Sequence, residues 1–135
     1  MKQNLFSILV SNHCGVLMRV TTIFSRRTCN IKSLTVAETH DPSVSRITIL
    51  FEADTTMANQ IAKLLEKQED VHSVTFLSLE TPILRELLLI KIKPSMYLQD
   101  DLKQLPAGTH AQVIAEDKDN CVVEFVGTGL QCDDF

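Results

Sequence analysis

The sequence predicts an α+β fold with antiparallel sheets, and three observations predict it. Strand-length runs rich in β-formers alternate with segments whose apolar residues recur every three or four positions, in the order βαββαβ over residues 1–80. A turn cluster, His40-Asp41-Pro42-Ser43, separates two consecutive strand-like runs with no room for a helix, so those strands form a hairpin. After Thr81-Pro82 the pattern begins again as β-α-β-β, because proline cannot continue a strand ladder.

The first strand covers about residues 4–11, on the run Leu5-Phe6-Ser7-Ile8-Leu9-Val10. A helix follows over about 15–27, with Val16, Leu17, Val20, Ile23 and Phe24 on one face. Arg26-Arg27 suit the negative pole at its end. Ile31-Lys32-Ser33-Leu34-Thr35-Val36-Ala37 alternates apolar and polar, as a strand with one wet face does. Its hairpin partner is Val44-Ser45-Arg46-Ile47-Thr48-Ile49-Leu50-Phe51, so residues 31–52 form one unit. Asp54 or Thr55 caps a second helix whose inner face carries Met57, Ile61, Leu64 and Leu65. Val71–Leu77 is the fourth strand. This order is the ferredoxin-like plan, an antiparallel sheet with both helices on one face.

The second unit, residues 81–135, reads as a strand at 86–93, a short polar helix near 95–104, and strands at 109–116 and 121–126. It is expected to be a truncated ferredoxin-like α/β unit, lacking its last helix and strand. Gly127-Thr128-Gly129 is too short for a phosphate loop, which needs a longer glycine run and a lysine.

Composition narrows the function. With 135 residues and 44% hydrophobic content the chain can bury a core, and disorder is excluded. A net charge of −4 supplies no basic stripe for nucleic acid, and no apolar run reaches membrane-spanning length. Cys14, Cys29, Cys121 and Cys132 are scattered, which reads as reduced thiols in a cytoplasmic protein. Metal-ligand spacing is absent around His13, Cys14 and Cys29. His40, His72 and His110 read as surface or strand-face residues that nothing pairs. Asp100-Asp101 and Asp117-Lys118-Asp119 read as solvated faces rather than a catalytic cluster.

The informative stretch is Asn12-His13-Cys14-Gly15-Val16-Leu17, where strand turns into helix. Gly15 allows a sharp bend or a close approach, and Asn12 suits turn or cap chemistry. The first amides of the helix have no intrahelical partner and can hold a small anion such as a carboxylate. An ordinary glycine turn accounts for the same residues.

Several collinear motifs go further: Asn12-x-x-Gly15-Val16-Leu17-x-Arg19-Val20, Asn30-Ile31-x-Ser33-Leu34-Thr35-Val36, Thr39-x-Asp41-Pro42-x-x-Ser45-Arg46-Ile47-Thr48, and Arg85-Glu86-Leu87-x-Leu89-Ile90-Lys91-Ile92. On these, nearly the whole chain resembles the ACT-domain small regulatory subunits of acetohydroxyacid (acetolactate) synthase. The resemblance implies a non-catalytic subunit with no catalytic residues and no cofactor of its own. It implies a catalytic (large) subunit as partner, which holds thiamine diphosphate, FAD and magnesium and makes the first intermediates of branched-chain amino acids. It also implies that this chain activates the partner and makes it sensitive to feedback inhibition, most often by valine. The family usually has a small residue where Met18 stands, glycine and an aromatic where Thr28-Cys29 stand, and often an acid where Lys32 stands. Thr28 is expected to force a different backbone at that turn.

The plan also places the effector site. Strand two lies at a sheet edge parallel to strand one, so Asn12 and Asn30 sit at opposite ends of the sheet within one chain. If strand two pairs antiparallel with its copy across a twofold axis, the partner's Asn30 comes to face Gly15. A homodimer with two equivalent pockets follows. Amides of Gly15, Val16 and Leu17 take the amino acid's carboxylate; Asn12 and Asn30 serve its ammonium and carboxylate; Val16, Leu17 and Ile31 line its side chain. A stand-alone ACT-type amino-acid sensor is the rival reading. A small enzyme on this fold lacks any catalytic constellation.

Overall fold

The computed structural model describes residues 2–77, 83–95 and 98–135, with Gln99 described by its backbone alone. The chain divides into two compact units, residues 1–82 and 83–135. The expected break at Thr81-Pro82 lies outside the described residues.

Unit one runs β1 (Lys2–Ser11), α1 (Val16–Arg26), β2 (Ile31–Glu38), β3 (Val44–Ala53), α2 (Thr55–Glu66) and β4 (Val71–Leu77). The sheet order is β2-β3-β1-β4, with every neighbouring pair antiparallel. This is the ferredoxin-like arrangement that the order of runs predicts. Period-two alternation sends Phe6, Ile8 and Val10 of β1, and Ile47, Ile49 and Phe51 of β3, into one core. Val16, Val20 and Phe24 of α1 and Ala58, Ile61, Ala62 and Leu65 of α2 close it from above. Phe51 sits between Phe6 and Phe24 in edge-on contacts, with ring centroids 4.7 and 5.1 Å away.

The caps show why the helices start where they do. Asp54, not Thr55, caps α2, its Oδ1 accepting from the Met57 amide at 2.7 Å. Met57 and Leu64 lie at the margin of the α2 face, which Ala58 and Ala62 complete. In the hairpin turn, Asp41 Oδ1 accepts from the Ser43 hydroxyl and amide at 2.7 and 2.9 Å. Those bonds hold the Asp41 carboxyl below the usual carboxylate range.

β2 departs from expectation. A single wet face was predicted, yet every residue from Lys32 to Glu38 is exposed and only Ile31 is half-buried. Leu34 and Val36 stand opposite Ile49 and Ile47, which are fully buried, but remain 39% and 41% exposed themselves. The helices cover the middle of the sheet and stop short of this edge.

Unit two runs β5 (Glu86–Ile92), α3 (Leu98–Lys103), β6 (His110–Glu116), β7 (Cys121–Gly127) and α4 (Gly129–Asp134), with sheet order β5-β7-β6. That order repeats β1-β3-β2 of unit one. Cys121, Val123 and Phe125 are its buried apolar side chains among the described residues, and Phe135 stacks on Phe125 at 4.2 Å. The expectation that the second helix is missing is corrected: α4 begins it. The Thr128 hydroxyl accepts from the Gln131 amide at 3.3 Å, and Gln131 Oε1 accepts from the Thr128 amide at 2.9 Å, a complete capping box. Gly127-Thr128-Gly129 is thus a helix start.

Candidate functional site

The corner between β1 and α1 is built by its backbone. Gly15 is the N-cap of α1 with φ 88°, a left-handed conformation that costs glycine nothing. No side chain caps this helix. The Val16 amide reaches only His13 O at 3.5 Å, and the Arg19 amide bonds Gly15 O at 3.1 Å. The amides of Gly15, Leu17 and Met18 have no partner among the described residues, so three donors face outward at the positive end of the helix. This differs from the expected trio in exchanging Val16 for Met18.

The side chains divide. Val16 is 3% exposed and belongs to the core, so only its backbone stands at the corner, not a pocket-lining side chain. Leu17 points outward. Asn12 is held from the hairpin side: its Nδ2 donates to Pro42 O and its amide to Ser43 O, both at 2.8 Å. Its amide nitrogen is thereby committed to the fold, and its carbonyl oxygen is left to accept. Asn30 is exposed at the head of β2 and bonds nothing among the described residues. Ile31 beside it packs against the core margin and pairs with Phe51.

Asn30 is set by the end of α1. The Cys29 amide bonds Phe24 O and the Thr28 amide bonds Ser25 O, each at 3.0 Å, the double bond of a Schellman stop. That stop needs a left-handed residue, and Thr28 adopts φ 53°. Thr28 therefore keeps the backbone glycine would take, correcting the expectation that it changes the turn. Cys29 turns inward, its thiol donating to Glu52 O at 3.3 Å, and burial raises its pKa.

The structure does not bring Asn12 and Asn30 together within one chain. Ser11 pairs with Val44 at one end of the sheet, while Ile31 pairs with Phe51 at the other. Along β2 that separation is ~25 Å.

Two side chains that the sequence reading did not place in the corner also build it. Asp70, just ahead of β4 and 12% exposed, accepts from His13 Nε2 at 2.8 Å and from Arg19 Nη1. Its carbonyl accepts from the Ser11 amide at 2.8 Å. Their separations in sequence, 51 residues for Arg19 and Asp70, hid the contact. His72 is likewise paired rather than free, its Nε2 standing 2.9 Å from the Ser11 hydroxyl.

With this geometry in place, comparison with known proteins gives a consistent result. Residues 6–73 match the model of the AHAS small subunit-like ACT domain. The acetolactate synthase isozyme 3 small subunit of Escherichia coli is 38% identical over 133 residues, 98% of this chain and 82% of that one. The acetolactate synthase small subunit of Bacillus subtilis is 32% identical over 126 residues, 93% of this chain and 73% of that one. Among solved structures, the acetolactate synthase small subunit of Thermotoga maritima superposes with a TM-score of 0.85 at 27% identity, covering 99% of this chain and 84% of that one.

Proposed function

The chain belongs to the acetolactate synthase small-subunit family, and on that premise we propose that it is the feedback-sensing subunit of that enzyme. It adds no catalytic group of its own. The catalytic subunit carries thiamine diphosphate, FAD and magnesium, and this chain raises its activity and exposes it to inhibition by a branched-chain amino acid, above all valine.

The observation that carries the reading is β2. Its outer edge pairs with nothing among the described residues, and its core-side residues Leu34 and Val36 are half-exposed. Antiparallel pairing with a second β2 across a twofold axis satisfies the edge and covers both side chains. The same operation carries Asn30 of the partner subunit from the far end of its own sheet to the Gly15 end of this one. Two equivalent sites result, each with helix-start amides of Gly15 and Leu17 for the carboxylate. The carbonyl of Asn12 and the amide group of Asn30 of the partner subunit serve the ammonium and carboxylate ends. An amino acid bound there stabilises one arrangement of two chains, and so biases whatever the dimer grips.

The test is reconstitution with the catalytic subunit while valine, leucine and isoleucine are titrated. Added chain is expected to raise acetolactate formation, and valine to lower it again. Co-purification with the catalytic subunit separates this from a free-standing amino-acid sensor. No change of rate on mixing, at any amino-acid concentration, overturns the proposal.

A further inference from the structure

We infer that Asp70 is a positioning residue for the effector corner: it touches no ligand, but its carboxylate holds the turn in the shape that binds one. This rests on the effector reading above and names what keeps that site open.

Three observations converge on it. The Asp70 side chain is 12% exposed, the most enclosed of the ion-paired groups among the described residues of this unit, so the carboxylate is fixed in place while its partners His13 and Arg19 stay 54% exposed. Its two oxygens take two partners that flank Gly15 in sequence, His13 on the strand side and Arg19 on the helix side. Its own carbonyl takes the Ser11 amide, where β1 ends. One residue therefore ties the end of the strand, the turn and the first turn of the helix to the start of β4.

The tie matters because the other contacts on the β4 side, Val10 with Val71 and the Ser11 hydroxyl with His72, hold the end of the strand, whereas Asp70 reaches the turn and the helix start. The donors that would grip a carboxylate are backbone amides, which cannot swing into place as side chains do. Their direction is the direction of the chain. Asn12 anchors the turn to the hairpin, and Asp70 anchors it from the opposite side. Asp70 also occupies Arg19. A Cβ on Gly15 would stand 3.9 Å from Arg19 Nη2, so this guanidinium lies beside the turn. Paired to Asp70 it forms part of the wall and leaves the anion to the amides.

The experiment measures valine affinity of the intact chain by calorimetry, beside its unfolding midpoint and dimer fraction. Asp70→Asn is expected to weaken valine binding by about tenfold, as loss of an outer partner of a binding group does. Asp70→Glu should recover most of the loss. Arg19→Ala should weaken binding similarly, and the double variant should add little further, because both act through one tie. Ile61→Val, a core truncation in α2, is the control. It lowers the midpoint and should leave the affinity where it was. Unchanged affinity in Asp70→Asn overturns the inference and leaves the effector site standing. So does a rise, which would mean that a released Arg19 takes the carboxylate itself. No heat with valine, leucine or isoleucine in the unaltered chain overturns the effector reading and this inference together.

Discussion

Thr28 holds a conformation that a β-branched residue rarely adopts, with φ 53°, because the Schellman stop after α1 admits no other. Replacing it with glycine removes the clash of Cβ and adds some disorder to the unfolded chain, and the first effect is the larger. Thr28→Gly is expected to stabilise unit one by about 1 kcal/mol, read from the denaturant midpoint. Gly15 is the opposite case. It already has the residue its φ of 88° requires, and a Cβ there would meet open space apart from Arg19. Gly15→Asp is strained at that φ, by about 1 kcal/mol, but with that space it is expected to fold and to dimerise. Its new carboxylate stands where the effector's would bind, and like charges at close range cost several kcal/mol. Calorimetry should show valine affinity lowered at least about tenfold.

At the scale of elements, the proposed assembly rests on β2. Its hairpin with β3 fixes which residues share the core side, Leu34 and Val36 among them. In a lone chain both are half-exposed, so a polar change there costs the folded monomer little, about 0.5 kcal/mol. In the proposed dimer they are covered. Val36→Lys is expected to leave the thermal midpoint of unit one nearly unmoved while weakening dimerisation by about 2 kcal/mol or more, visible by sedimentation. A stable dimer carrying that lysine would show that another surface joins the copies. α1 links the two ends of the proposed site: its start leaves free amides, and its stop delivers Asn30 to the head of β2.

For the whole molecule, the proposed site makes ligand binding and assembly one equilibrium. A ligand that bridges two chains binds neither the monomer nor the unfolded state well. Valine at a hundred times its Kd is expected to stabilise the folded dimer by about 2.7 kcal/mol for each of its two sites, and the shift in Tm should depend on protein concentration. Gly15→Asp should abolish that increment. Val36→Lys should make it appear only at high protein concentration. These two signatures separate a damaged site from a damaged interface.

Local chemistry made much of this legible in the sequence. Alternation and three-to-four spacing placed β1, α1, β3 and β4 to within a residue or two, because each buries a face whose period is written in its own residues. The Gly15 corner was legible for the same reason: a positive φ at a strand-to-helix turn selects glycine. The capping pattern Thr128-x-x-Gln131 was equally local, but Gly127 and Gly129 beside it are weak helix formers and hid the helix it starts. By itself, then, the sequence determined the elements, their order and the two compact halves. It also determined a family membership that assigns this chain to acetolactate synthase. Only the tertiary structure decided that β2 lies bare on both faces and that Asp70 reaches across 51 residues to Arg19 at the corner. Those outcomes depend on which segments lie beside one another, and no periodicity within a segment carries that information.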